Sequence, residues 1–224
     1  MATTIHRGMV VAGLINYYGD VLYGYDEGVT VKERLTKIAD RLWQAYHYNN
    51  PVVLNQINNY NPKYLSRSWS AIQSEGFLKR DAYDTIANEY GYKTWKEVPS
   101  TSMNLSFEYA IDVMLAGDFK GLKQLLSDDP TLVEIRSDYA HRATLFHYLG
   151  SNGVELYRQV VPSNLAKIMT LLLDHGADHQ ATMPVYGGDF TMIDLLKTSA
   201  HPKAAGLHDT VVSAYENYQS RLSS

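Results

Sequence analysis

The sequence contains no cysteine among its 224 residues. Disulfide bridges, thiolate nucleophiles and cysteine-based zinc sites are therefore excluded. A phosphate-binding loop, a dinucleotide-binding glycine motif and the Gly-x-Ser-x-Gly nucleophile elbow are also missing from the sequence. Two histidines, His175 and His179, are four residues apart, but Gly176 is expected to end the helix between them. We therefore predict no metal and no other cofactor.

A long hydrophobic run is also missing, because the apolar stretch from Met9 to Ile15 is too short to cross a membrane. No small-residue cleavage site follows this stretch, so we interpret it as part of the folded protein and not as a signal peptide. The sequence predicts a cytoplasmic protein without a membrane segment.

Positive charge is not in excess. The formal net charge is −4, with a balance of +1 in residues 1–100 and of −5 in the remainder. Proteins that bind nucleic acid through the phosphates present a concentrated basic surface, and neither part offers one. We do not expect a nucleic-acid partner.

Phenylalanine is scarce, with five residues, whereas tyrosine is abundant, with 18. Tyrosine combines a large, stiff contact area with a polar tip, which suits an interface as well as the edge of a core. We expect most of these tyrosines to pack at the edges of the core.

Apolar residues at three- and four-residue spacing predict helices in the first hundred residues. The clearest helix covers about 31–47, where Thr30 and Glu33 match a capping box. For residues 1–30 the pattern fits both a hairpin and a helix followed by an ordered loop.

Three further helices are predicted before residue 100, at about 52–58, 62–74 and 79–90. The middle one has Leu65, Trp69 and Ile72 as its apolar face. Gly91 is the expected end of the last one.

The most informative stretch runs from Ala143 to Asp178. It opens with Thr144-Leu145-Phe146-His147 and closes with LLLDHGAD at 171–178. Thr-x-x-His at the start of a short helix and Leu-Leu-x-x-Gly-Ala-Asp at the end of a second one are the two ends of an ankyrin repeat unit. The stretch therefore resembles an ankyrin repeat, with Leu145 in place of the usual proline. The resemblance implies that His147 is a structural residue that bonds to Thr144 and to the neighbouring backbone.

The helix-pair pattern recurs on both sides of this stretch. Leu125 and Leu172 are 47 residues apart, and so are Thr144 and Thr191. Subtracting about 12 residues for an insertion between the two helices leaves roughly 35, close to the ankyrin period. The insertion, VELYRQVVP at 154–162, puts Glu155, Tyr157 and Arg158 on an inserted loop, and loops are where binding residues concentrate.

The phrase IANEYGYKTWKEV at 86–98 resembles a segment found upstream of bacterial ankyrin-like domains. Its helix–glycine–short helix layout also resembles a helix-turn-helix. Pro99 stops the second helix within about one turn, which is too short to enter a DNA groove. We favour a capping layer that packs against the first repeat through Trp95, over a nucleic-acid binder that uses residues 79–98.

Together these patterns predict an all-α protein. An N-terminal helical region, residues 1–100, is expected to cap an ankyrin-like stack of helix pairs in residues 101–224. The predicted units of the stack cover about 105–135, 141–180 and 190–221.

The candidate binding residues lie in phrases shared with uncharacterised bacterial ankyrin-like proteins: His141, Arg142, Tyr148, Asn152, Tyr157, Arg158, Tyr186 and His201. Loop tips of stacked repeats align along one edge, so one interpretation is that these residues converge into one polar-aromatic groove. The interpretation that we favour is that Arg142 and the histidines bond to backbone carbonyls across the stack.

These observations favour a non-catalytic module that binds a protein partner through the inserted loop and the repeat tips. One alternative is a small-ligand binder or hydrolase-like enzyme that uses Arg142, Tyr157, Arg158 and His201. The second alternative is the nucleic-acid binder through 79–98. The sequence does not indicate an oligomeric state.

Overall fold

The computed structural model describes residues 3–23 and 25–222 and is mostly helical, as predicted. The N-terminal helices are α1 (Met9–Tyr18), α2 (Val31–His47), α3 (Leu54–Tyr60), α4 (Trp69–Glu75) and α5 (Lys79–Glu89). The C-terminal helices are α6 (Leu105–Leu115), α7 (Phe119–Asp128), α8 (Leu145–Tyr148), α9 (Leu165–Asp174), α10 (Met192–Thr198), α11 (Ala200–Ala204) and α12 (His208–Leu222). Two antiparallel pairs of short strands complete the fold, β1 (Ile5–His6) with β2 (Val161–Pro162) and β3 (Thr182–Val185) with β4 (Gly188–Thr191). Over the described residues, no helix combines the length and the apolar character that a membrane span requires.

The capping box at the start of α2 is present as predicted. The Thr30 hydroxyl accepts from the Glu33 amide at 3.2 Å, and the Glu33 carboxylate accepts from the Thr30 amide at 2.9 Å. These two bonds satisfy donors that a helix start otherwise leaves unpaired. The capped helix then packs its apolar face against α5.

The described residues among the first thirty, 3–23 and 25–30, contain a helix and not a local hairpin. Helix α1 is followed by a 3-10 turn at Gly19–Leu22. The only strand described in this part of the chain, β1, pairs with β2 about 155 residues later, with His6 opposite Val161. A distant partner of this kind leaves no signal in the local sequence pattern.

The predicted helix at 62–74 is wrong in its first half. A 3-10 turn covers Pro62–Tyr64, and Ser66 then has a left-handed backbone with φ of 58°. Helix α4 begins only after Ser68, whose hydroxyl accepts from the Ala71 amide. Leu65 is therefore not on a helix face but is 54% exposed.

Helices of the C-terminal part lie in two rows. In one row α6 contacts α8 and α8 contacts α10, and in the other α7 contacts α9 and α9 contacts α12. Helix α8 is a single turn that Thr144 caps. The Thr144 amide donates to Nδ1 of His147 at 3.1 Å, and the Thr144 hydroxyl lies 2.8 Å from the same nitrogen. His147 thus has the structural contacts that the resemblance implies.

The insertion at 154–162 is not a surface loop. Its residues are all buried, including Glu155 at 0% and Arg158 at 1% exposure. It forms a 3-10 turn at Leu156–Arg158, which contacts α1, and then strand β2. The insertion therefore lies between the N-terminal helices and the C-terminal rows, because both parts cover it.

One contiguous set of buried apolar side chains runs through both parts of the chain, from Val11 in α1 to Tyr215 in α12. The Ala140 amide donates to the Tyr90 carbonyl at 3.1 Å, and this bond fixes the end of α5 against the segment that precedes α8. The two parts are therefore packed as neighbours around a shared interior, and their junction forms the cleft described next.

Candidate binding cleft

A cleft of about 640 Å³ lies between α3, the end of α5 and the β3–β4 hairpin. Tyr60, the last residue of α3, and Leu65 line it, and so do Val185 and Tyr186 of the hairpin. Glu89, the last residue of α5, lies in the cleft together with groups from several other elements. Apolar and aromatic walls with a few polar groups, in this range of volume, are typical of binding sites.

The turn of the hairpin is built around a tyrosine in an unfavourable conformation. Val185 and Gly188 pair across a two-residue turn in which Tyr186 has φ of 53° and Gly187 has φ of 79°. Two positive φ angles define the type I′ turn, whose first position favours asparagine, aspartate or glycine. The left-handed backbone costs a residue such as tyrosine about 1 kcal/mol. Tyr186 is nevertheless 64% exposed, so burial in the core does not account for a tyrosine at this position.

Glu89 is the buried acid of the cleft. Its Oε1 accepts from the Leu156 amide at 2.9 Å, and its Oε2 accepts from the side-chain amide of Gln56. Gln56 in turn accepts from the Tyr18 hydroxyl at 2.7 Å. The pKa of Glu89 is raised to about 7, mainly by burial. The two hydrogen bonds lower it and the nearby Glu155 raises it, but both effects are smaller than that of burial. Glu89 therefore exchanges its proton near neutral pH.

His141 also lines the cleft, but its two ring nitrogens are used by the protein. Nδ1 accepts from the Ala143 amide at 3.1 Å, which assigns the ring proton to Nε2, 3.4 Å from Glu155 Oε1. His141 comes this close to α5 because residue 91 is glycine. A Cβ at Gly91, where φ is 87°, would lie 2.8 Å from the His141 backbone nitrogen.

Replacing Glu89 with glutamine is expected to change how stability depends on pH. Because the folded-state pKa of Glu89 is raised from 4.5 to about 7, its stabilising contribution is complete below about pH 4.5 and is lost as the pH rises through 7. The free energy of unfolding of Glu89→Gln, measured against wild type in urea, should rise by about 2 kcal/mol between pH 5 and pH 8. Other titrating groups, such as His147, whose pKa burial lowers to about 4, cancel in this difference. Parallel pH profiles of the two proteins would contradict the assignment.

Three of the eight sequence-predicted binding residues come together here. His141 and Tyr186 line the cleft, and the Tyr186 hydroxyl donates to Asn152 Oδ1 at 2.7 Å. Asn152 also donates to the Thr198 hydroxyl at 3.1 Å, which ties the hairpin tip to the end of α10.

Three others lie in the interior. Tyr148, Tyr157 and Arg158 are each no more than 5% exposed. The Arg158 guanidinium forms ion pairs with Glu108 at 2.8 Å and with Asp112 at 3.2 Å, and it lies over the rings of both tyrosines. The interpretation in which these three reach one binding groove with the rest is wrong, because all three side chains are buried inside the fold.

Arg142 and His201 do not line the cleft. Arg142 is exposed with φ of 52°, and its guanidinium donates to the Ser137 carbonyl at 2.9 Å. His201 is half-buried against Gly8, and burial, followed by the nearby His6, lowers its pKa. The structure therefore does not assemble the edge of Arg142, Tyr157, Arg158 and His201 that an enzyme or small-ligand site was expected to use.

Residues 79–98 form α5 and a single 3-10 turn at Trp95–Glu97. Trp95 packs edge-on against Tyr83 of α5 at 4.6 Å between ring centroids. This turn is shorter than the second helix that a helix-turn-helix places in the major groove. Across the described residues no three His, Asp or Glu side chains are grouped so that they could hold a metal ion.

Glu89, Tyr60 and Leu65 line the cleft although none of them was predicted as a binding residue. Glu89 did leave a signal, since it continues the apolar stripe of α5 at helical spacing from Ala82 and Ile86, both of which are buried. A carboxylate on the buried face of a helix is uncommon without a partner or a function. The sequence contains no such signal for Tyr60 and Leu65, because their positions depend on the turn at 62–64.

No protein-family model, curated protein or solved structure matches this chain significantly. The function is therefore inferred from the geometry of the cleft.

Proposed function

We propose that this chain is a non-catalytic binding module built on an ankyrin-like stack of helix pairs. The partner is a protein, and an extended segment of it binds in the cleft between α3, α5 and the β3–β4 hairpin.

The two rows of C-terminal helices support the ankyrin-like part of the proposal. Each row is continuous through three helices, which is how stacked repeats bury the faces that single units leave bare. Thr144 and Thr191 lie 47 residues apart and both cap the first helix of a pair, with His147 and Asp194 as the reciprocal partners.

The binding proposal depends on the exposed position and the left-handed backbone of Tyr186. A bulky side chain is kept in a left-handed turn position where it is 64% exposed and forms the rim of a cleft. Unfavourable backbone conformations of this kind concentrate at functional sites. Leu65, which also lines the cleft, is exposed as well, so two large side chains with apolar surface face solvent at one cleft.

A chain segment fits this cleft better than an enclosed small molecule does. The cleft is open to solvent, and its exposed apolar rims would be covered by a partner that continues beyond it. The inserted loop has no part in the proposal, because its side chains are buried.

Selection from a random linear peptide library displayed on phage tests the proposal directly. Peptides enriched on the wild type should lose at least tenfold in affinity for Tyr186→Asn and for Leu65→Asp. Tyr186→Asn should keep its free energy of unfolding within about 0.5 kcal/mol of wild type, because relief of the left-handed backbone offsets the loss of one exposed hydrogen bond.

Tyr109→Asn is the matched control, since Tyr109 is 58% exposed on α6 and does not line the cleft. It should bind the selected peptides as the wild type does. Peptides that bind all four proteins equally, or a selection without enrichment, would contradict a binding site in the cleft.

A further inference from the structure

We infer that the segment bound in the cleft carries a lysine or arginine, whose side chain passes between the tyrosines of the walls and pairs with Glu89. This inference rests on the proposed function and specifies the chemistry of its partner.

Glu89 has no cationic partner of its own. Over residues 3–23 and 25–222, no lysine, arginine or histidine nitrogen lies within 4.0 Å of its carboxylate. Each of its oxygens accepts one hydrogen bond from the interior, from Leu156 and Gln56. A carboxylate oxygen accepts a second bond readily, so capacity remains for a charged donor.

The surroundings of Glu89 favour a cation over an anion. Glu155 of the insertion lies behind it, and Asp189 adds a carboxylate at the exposed rim. His141 offers no free ring nitrogen, because Ala143 and Glu155 occupy both. Lys93 is the one lysine or arginine among the described lining residues, and it is exposed at the rim, where solvent screens it.

Aromatic side chains line the same cleft as Glu89. Tyr60, Tyr92 and Tyr186 all border the cleft. The Tyr60 hydroxyl is close to the acid, since burial and then Glu89 raise the pKa of Tyr60. Aromatic walls pack the aliphatic stem of lysine or arginine and attract its cationic head. A neutral side chain would gain only the packing, and an acidic one would meet Glu89 and Asp189.

Binding of a cation should be coupled to ionisation of Glu89. The titratable groups around this acid are Tyr18, Tyr60, Tyr90, His141, Glu155 and Tyr157, of which Glu155 is held charged beside Arg158. A cation binds the ionised form, so affinity rises as Glu89 loses its proton. With a free-state pKa of about 7, binding should be about tenfold tighter at pH 8 than at pH 6.

The experiment uses the peptides enriched on the wild type at pH 8, with isothermal titration calorimetry of one of them. We expect a lysine or arginine at one fixed position. Replacing that lysine with norleucine, or an arginine with citrulline, should weaken binding at least tenfold. Glu89→Gln should weaken the basic peptide equally, remove the tenfold pH effect and leave the uncharged peptide unaffected. Gln56 can turn its amide in this variant, with the Tyr18 hydroxyl as acceptor, so the interior remains bonded.

Failure of the inference is distinct from failure of the proposed function. Peptides that depend on Tyr186 but contain no fixed basic residue, or that bind Glu89→Gln as tightly as wild type, overturn the inference and leave the cleft as the binding site. A selection without cleft-dependent peptides overturns both. If Glu89→Gln does not fold, the norleucine or citrulline peptide and the pH series on the wild type decide the question without it.

Discussion

Replacing Arg158 with methionine lowers the free energy of unfolding by about 3–5 kcal/mol, because it leaves buried carboxylates without their counter-ion. Arg158 is 1% exposed and contacts Glu108 at 2.8 Å, Asp112 at 3.2 Å and Glu155 at 3.6 Å. It also donates to the Tyr25 hydroxyl at 2.9 Å. Urea denaturation followed by circular dichroism measures the loss.

The loss of stability in Arg158→Met should depend on pH. The pKa of Glu108 is raised, because burial raises it more than Arg158 lowers it. The pKa of Glu155 is lowered, because the effects of Arg158 and His141 exceed that of burial. Without Arg158 the folded-state pKa of both acids rises. The difference in free energy of unfolding between Arg158→Met and wild type should therefore be smallest at acidic pH and increase as the pH rises.

Lys37→Met is the control for Arg158→Met. Lys37 pairs with Asp26 at 3.0 Å, but both side chains are largely exposed. Exposed pairs contribute about 0–1 kcal/mol. A loss at Arg158 as small as that at Lys37 would show that the interior tolerates the unpaired acids.

Replacing Gly91 with alanine is expected to cost about 2–4 kcal/mol of the free energy of unfolding. Part of this is the left-handed backbone, with φ of 87°, and part is overpacking, because the new Cβ would lie 2.8 Å from the His141 backbone nitrogen. Backbone atoms cannot rotate out of the way as a flexible side chain can. The contact between α5 and the segment before α8 would therefore open.

Gly176→Ala separates the two contributions. Gly176 also has φ of 87°, but no atom lies within 4 Å of the position that a Cβ would take. It should lose only about 1 kcal/mol, the cost of the backbone conformation alone. Equal losses in the two variants, measured in the same urea titration, would remove the argument that residues 90–91 and 140–141 are in close contact.

Local chemistry made part of this fold predictable. The capping box of Thr30 and Glu33 needs only residues three apart, so the start of α2 could be read from the sequence. At 62–74 the same kind of reasoning was wrong, since Leu65, Trp69 and Ile72 match helical spacing although Ser66 interrupts the helix. Ser68 was the local signal for a later start, because serine is a preferred capping residue.

The role of the insertion could not be predicted in this way. Polar residues such as Glu155 and Arg158 favour the surface unless they are paired, and the partners, Glu108 and His141, come from other elements. The same holds for the cleft. Glu89 depends on the Leu156 amide, 67 positions away in the sequence, and no local pattern connects the two.

The pairing of β1 with β2 determines when the N-terminal part of the fold can form during synthesis. Ile5 and His6 have their strand partners at Pro162 and Val161, the last two residues of the insertion, whose 3-10 turn contacts α1. On a ribosome the first helix is therefore made long before the surface that covers it. Until position 162 has emerged, the nascent N-terminal half exposes the part of α1 that the insertion covers in the folded protein. Exposed apolar surface of this kind is what chaperones bind.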